Sequence, residues 1–303
     1  MTIQEAPTAS PLTGVTVSDA MRPGVVTCLP GDGVARLAAI MVTNGIHAAV
    51  LAPFQRAAPL IVTDLELIRA ALDRADDPRA ADIARDPVAT LPGDAALQDA
   101  VAMMAERYVA HLLVTDPDSG EPAGVVSSFD VVVVLSGQQP RLPRILQPAP
   151  ARPSPRVGKL SQAVVRDVMQ PGIATCTPDM PLRAVAGSMA EHGTHCVAIA
   201  GIDGGGRGQH LIWRLIGAMD LVRAAHRHAL AEPAATIAAT APIAVKEGDS
   251  LEGAAALMVE HDTRHVVVVA PSGLPSGLVS TLDVASVLAA TGDRDLAAQR
   301  VEG

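Results

Sequence analysis

Aromatic residues are almost missing from this 303-residue chain: one Trp, one Tyr and two Phe, 1% of the total. Its core must therefore be built from Ala, Val, Leu, Ile and Met, and it lacks the stacking surfaces that hold single-stranded nucleic acid. An excess of basic charge is missing as well. The formal net charge is -9, which disfavours a nucleic-acid partner and leaves room only for small anions held by a few local cations. Three cysteines, Cys28, Cys176 and Cys196, are too few for a disulfide framework and contain no close-spaced metal pair. No uninterrupted apolar run approaches membrane-spanning length, and the "VVVVL" segment is far too short to span a bilayer. The opening "MTIQEAPTASPLTG" has neither a basic n-region nor an apolar h-region, so the expected location is the cytoplasm, with no membrane partner. Nothing matches a nucleophile elbow, a Walker loop, a dinucleotide fingerprint or a zinc-hydrolase helix, so no catalytic residue and no enzyme activity are expected.

What the chain does contain is repetition. "DAMRPGVVTCLP", from Asp19, and "DVMQPGIATCTP", from Asp167, agree at seven of twelve positions across an offset of 148, so the chain is two related halves. Each half divides again. Four amphipathic helices follow an aspartate (Asp32, Asp94, Asp179, Asp249) and run from an apolar anchor to a methionine seven residues on: Val34 to Met41, Leu97 to Met104, Leu182 to Met189, Leu251 to Met258. That spacing makes one buried helical face, with the acid near the helix start. A β-type run led by a histidine comes next: His47, His111, His195 and His265. Then follow a loop, a second strand and a second helix, while a short strand precedes each first helix. The unit is strand, helix, strand, strand, helix in roughly 60 residues, too small to bury a full core alone and expected to pack in pairs.

Two of the four units close on the same signature: "GVVSSFDVVVVL" (Gly124 to Leu135) and "GLVSTLDVASVL" (Gly277 to Leu288), each Gly-x-x-Ser-x-x-Asp. Taken alone, Ser-x-x-Asp before an apolar helix is close to a capping box. Unit three keeps Asp220 but has Gly217 and Arg214 in place of the hydroxyl residue and the glycine. Unit one keeps Thr63 but has Leu60 and Glu66. Between units two and three lies a Pro-rich stretch with six prolines, an extended linker. The insertion Ile202 to His210 in unit three reads as a hairpin tip.

Four units carrying a His-led strand, two of them opening with "DAM" or "DVM" and two closing on Gly-x-x-Ser-x-x-Asp, resemble cystathionine-β-synthase (CBS) domains over about residues 15 to 290. The resemblance implies an α+β fold of four β-α-β-β-α repeats packed as two pseudo-two-fold Bateman modules. The corresponding boundaries are 14-75, 78-137, a linker 138-160, 161-229 and 232-290, with tails 1-13 and 291-303. It implies a non-catalytic regulatory protein that binds an adenosine nucleotide (AMP, ADP or ATP) in clefts between paired domains. It needs no further cofactor or metal, and acts on an unidentified partner protein as a homodimer or through pairing within the chain. On that resemblance Ser127, Asp130, Ser280, Asp283 and Asp220 face ribose hydroxyls, His111, Arg264 and His265 face phosphate, with Arg107 near His111. Val88, Ala89, Ile243 and Ala244 border the adenine. The alternatives are a structural scaffold with relic clefts, or a binder of S-adenosylmethionine or a metal ion.

Overall fold

The computed structural model describes residues 12–52, 59–72, 78–84, 89–136, 160, 163–203, 210–237 and 242–290. The repeats appear as expected. Repeat one has strand Thr27–Cys28, helix Val34–Asn44, strands Ala48–Leu51 and Ile61–Thr63, and helix Asp64–Leu72. Repeat two has Thr90–Pro92, Leu97–Arg107, His111–Thr115, Pro122–Ser127 and Ser128–Leu135. Repeat three has Thr175–Cys176, Leu182–His192, Cys196–Asp203, His210–Gly217 and Ala218–His226. Repeat four has Ala244–Lys246, Leu251–Glu260, His265–Val269, Pro275–Ser280 and a helix over 281–290. In every repeat the first strand pairs parallel with the second, and the second pairs antiparallel with the third. The insertion in repeat three is a hairpin whose last described pair is Asp203 with His210.

The repeats share cores in an alternating order. One compact unit joins residues 1–24, 89–172 and 243–303, and so contains repeats two and four; the other joins 25–88 and 173–242, repeats one and three. Leu97, Met104, Leu251 and Met258 lie fully buried in the first core; Met41, Leu182 and Met189 do the same in the second. The seven-residue helical spacing thus marked real core faces. Long polar side chains tie the paired repeats together: Gln98 donates to the Leu288 carbonyl at 3.0 Å in the first unit. In the second, Arg69 donates to Ala190 at 3.0 Å and Arg183 to Leu72 at 3.1 Å.

The segments ahead of repeats one and three dock on the repeat that follows each of these in the chain. Arg22–Pro23 pairs antiparallel with Val125 and Gly124 of repeat two, and Gln170–Pro171 pairs with Leu278 and Gly277 of repeat four. These additions give repeats two and four four-stranded sheets, while those of repeats one and three have three strands. Conversely, the short helices Ala80–Ile83 and Ala234–Thr236 dock on repeats one and three, with Ala80 donating to Asp32 and Ala234 to Met180. Residues 14–24 and 163–172, expected within repeats one and three, group with the unit of repeats two and four. Leu12 and Leu160, expected in a tail and in the linker, are buried in that same core.

The leader strands explain the motif glycines. A Cβ on Gly124 would lie 2.4 Å from the Arg22 carbonyl oxygen, and one on Gly277 would lie 2.5 Å from that of Gln170. Repeats one and three carry Leu60 and Arg214 there and, among the described residues, have no leader strand.

The aspartates ahead of the first helices serve the turn before the helix. Asp32 accepts from the Leu29 amide at 2.8 Å and Asp249 from the Lys246 amide at 2.8 Å. No helix among the described residues is long and apolar enough to cross a membrane.

Candidate functional site

Each repeat uses its Ser-x-x-Asp position, or the remnant of it, in the same way. The last strand ends in an extended residue whose amide and hydroxyl, where it has one, turn onto the carboxylate three residues ahead. Reciprocal bonds between a cap and the third helical residue satisfy donors that a helix start leaves open. In repeat two, Asp130 Oδ2 accepts from the Ser127 amide at 2.9 Å and from Ser127 Oγ at 2.5 Å. In repeat four, Asp283 Oδ2 accepts from the Ser280 amide at 2.7 Å and Ser280 Oγ at 2.6 Å. In repeat three, Asp220 Oδ2 accepts from the Gly217 amide at 3.0 Å. In repeat one, Glu66 Oε2 accepts from the amide and hydroxyl of Thr63.

What differs is the other carboxylate oxygen. Asp130 is only 2% exposed, and its Oδ1 takes Nε of Arg22 at 3.1 Å. Glu66 and Asp220 are paired with Arg69 and Arg223 of their own helices. Asp283 is half-buried and, among the described residues, has no arginine ion pair: its Oδ1 accepts from the neutral amide of Gln170 at 3.2 Å. Gln170 and Arg22 occupy equivalent leader positions, so one substitution in a duplicated segment gives one buried ion pair and one open, neutral contact. Beside Gln170 stands Tyr108, 69% exposed, with its hydroxyl 3.4 Å from the amide nitrogen.

His111 and His265 begin their strands opposite Ser127 and Ser280. The Arg264 guanidinium lies 5.1 Å from the centre of the Phe129 ring. These side chains are half-buried, while Arg107 at the end of its helix is exposed. The Ala89 and Ile243 carbonyls each accept one bond within the sheets, from Leu113 and Val267. Ala244 is exposed, and Val88 lies outside the described residues.

The four histidines are not equivalent. By strand register Ala48, opposite Thr63, corresponds to His111 opposite Ser127; Cys196, opposite Gly217, corresponds to His265 opposite Ser280. His47 and His195 therefore sit one residue earlier, and one residue along a strand reverses the face to which a side chain points. Both meet Asp64 instead, a buried carboxylate that sequence reasoning did not single out. Its only signal was an acidic residue at the position held elsewhere by Ser128, Ala218 and Thr281.

A cavity of about 320 Å³ adjoins repeat one, lined by Glu66, Arg69, Pro78 and Asp82 among others. The cysteines are all buried; burial pushes the Cys28 thiol up to about 11, helped by Asp32, and that of Cys196 up to about 12. Such thiols fill core volume. Among the described residues no cluster of His, Cys, Asp and Glu is arranged to hold a metal ion.

Comparison with known proteins agrees with this architecture. The family described as "CBS domain" matches residues 80–137, 165–227 and 234–290. Protein MJ1225 of Methanocaldococcus jannaschii, presented as an archaeal homolog of g-AMPK, superposes with a TM-score of 0.68 at 17% identity, covering 89% of this chain and 99% of its own. A conserved protein of Pyrococcus horikoshii superposes with a TM-score of 0.55 at 14% identity, covering 90% of this chain and 100% of its own. A CBS domain protein of Pyrobaculum aerophilum, solved with AMP, is 24% identical and covers 38% of this chain and 89% of its own, with a TM-score of 0.35. No curated protein matches the chain in sequence.

Proposed function

The chain belongs to the CBS-domain family, and from that premise we propose that it is a non-catalytic sensor that binds an adenosine nucleotide and passes the change to a partner protein. The observation that carries this reading is the carboxylate of Asp283. Its Oδ2 is fixed by Ser280, while Oδ1 holds only a neutral amide from Gln170 at 3.2 Å. A ribose presents two vicinal hydroxyls, and a fixed carboxylate accepts both without losing its capping bonds. The Gln170 amide is the group such a ligand displaces, with little electrostatic penalty because no charge loses its partner. The helix start at Thr281 favours a phosphate nearby, with His265 as its side-chain contact while Arg264 is turned onto the Phe129 ring, and apolar Ile243 and Ala244 border the base.

Asp130 is the weaker site on the same logic. Engaging a ribose there breaks an ion pair with Arg22 and exposes a carboxylate that is 2% accessible. Breaking a buried pair costs several kcal/mol, less here because the Arg22 side chain is 34% exposed. Asp220 and Glu66, paired within their own helices, complete the order. A nucleotide acts as a signal only through different affinity for two arrangements of the repeats.

Calorimetric titration with AMP, ADP, ATP and S-adenosylmethionine tests the reading. The expected result is binding of an adenine nucleotide with one dominant site, lost in Asp283→Ala and retained in Asp130→Ala. A second reading, a structural scaffold, draws on the fact that all four carboxylates already have both oxygens engaged. It is favoured if none of the four ligands gives heat.

A further inference from the structure

We propose that His47, Asp64 and His195 form a proton-binding site that holds repeat one to repeat three when it is protonated. Asp64 is the first residue of its helix and is 3% exposed. His47 Nδ1 lies 2.7 Å from its Oδ2, and His195 Nδ1, which is 131 residues away in sequence and in the other repeat, lies 3.6 Å from its Oδ1. A neutral imidazole can donate one N–H to a carboxylate, but only a protonated one brings the positive charge that a buried carboxylate lacks. One proton on the pair of rings leaves the cluster neutral.

The proton resides on imidazole and not on Asp64. Burial pushes the Asp64 carboxyl upward, but the His195 and His47 imidazoles beside it outweigh that and hold the group well below the usual carboxylate range. His195 is raised, first by its contact with Asp64, against desolvation, with Glu66 adding to the rise and Arg69 opposing it. The His195 side chain is 46% exposed, so the proton exchanges directly with solvent. The helix of Asp64 packs against four others. They bring Arg36 from the first helix of repeat one and Asp82 from Ala80–Ile83. From repeat three come Arg183, Glu191 and His192 on one helix and Asp220, Arg223 and His226 on the other.

The other unit carries the same joint without the proton. Positions equivalent to Asp64 and Ala218 are Ser128 and Thr281, whose hydroxyls form a buried bond of 2.9 Å between repeats two and four. The positions of His47 and His195 are there taken by Ala110 and Arg264. A neutral hydroxyl pair does not titrate in the physiological range, so the joint of repeats two and four lacks this proton-dependent contact.

The direction follows from linkage. A histidine raised in the folded state contributes stability that is complete below its free value, near pH 6.5, and disappears as pH climbs through the raised value. Alkaline conditions therefore loosen repeat one from repeat three. Over that range the unfolding equilibrium constant of this unit grows tenfold for each pH unit separating the two values.

This inference does not depend on nucleotide binding. Urea unfolding of the full chain, followed by the fluorescence of Trp213, reports on the unit of repeats one and three, since Trp213 is the one tryptophan and falls within it. The expected midpoint falls between pH 6 and pH 9, and the fall disappears in D64S/A218T, which installs the hydroxyl pair of the other unit. A midpoint independent of pH, or a variant that keeps the whole shift, overturns the proposal. Should the variant fail to fold, an NMR titration of wild-type histidines decides alone: a His195 midpoint at the ordinary histidine value overturns the site, and a raised one sustains it.

Discussion

Replacing Gly277 with alanine and Gly187 with alanine should move stability in opposite directions, although the chemistry of the change is identical. At Gly277 the added Cβ would sit 2.5 Å from the Gln170 carbonyl oxygen and 3.1 Å from Met169 Sδ. The sulfur can swing aside, but the carbonyl belongs to a backbone strand. Ordinary contact begins near 3.4 Å, so the leader must retreat by about 0.9 Å. The bond from Gly172 to Ser276, now 2.9 Å, then stretches to about 3.8 Å, beyond hydrogen-bonding range. Overpacking of this kind costs about 1–3 kcal/mol, and the lost ladder bonds place Gly277→Ala near the middle of that range.

Gly187 lies inside the helix Leu182–His192 and an added Cβ meets nothing within 4 Å. There alanine removes the entropic cost of a helical glycine and contributes about 0.5–1 kcal/mol. Urea unfolding reads both, with a lower midpoint for Gly277→Ala and a higher one for Gly187→Ala. Hydrogen exchange should also rise over 165–172 in Gly277→Ala alone. Unchanged stability with intact protection of 165–172 would refute the claim that leader docking demands glycine here.

Met258→Ala removes a fully buried side chain from the core of repeats two and four and should cost about 2–5 kcal/mol, read by the same unfolding assay. Tyr108 adopts φ 52° where repeats one and three use Gly45 and Gly193, so Tyr108→Gly should stabilise by about 1 kcal/mol in thermal unfolding. Alkylation by iodoacetamide at pH 8, followed by mass spectrometry, should leave Cys28 and Cys196 unmodified in the folded protein, because burial raises both thiols to about 11 and 12.

The division into repeats, the helix faces ending in Met41, Met104, Met189 and Met258, and the Ser-x-x-Asp caps were all legible in the sequence. They are local periodicities, and the physics that creates them acts within a few residues. Partnership was not legible. An apolar stripe states that a helix face is buried but not against what, and nothing in the spacing says that repeat two shares its core with repeat four. The leader strands were misassigned for the same reason: "DAM" and "DVM" precede repeats one and three in the chain yet hydrogen-bond to repeats two and four. The histidines failed on register. Four "x-His-apolar" strings look alike in sequence, and only strand pairing shows that His47 and His195 start one residue before their strands while His111 and His265 begin theirs.

Those two gaps have a common consequence for how duplication shaped the molecule. Each core takes residues from both halves of the chain, so substitutions at the joints must be compatible across the duplication and not only within a repeat. The joint of repeats two and four has a hydroxyl on each side, Ser128 and Thr281, and its leaders carry Arg22 and Gln170. The joint of repeats one and three has Asp64 on one side and Ala218 on the other, an arrangement tolerable because histidines from both repeats reach the carboxylate. An unpaired carboxylate at 3% exposure would cost several kcal/mol, so His47 and His195 are the condition under which Asp64 can exist. The same duplicated frame thus holds two kinds of electrostatic asymmetry. In one unit it separates a closed carboxylate, Asp130, from an open one, Asp283. In the other it concentrates charge at the joint itself, on a carboxylate that His47 and His195 flank.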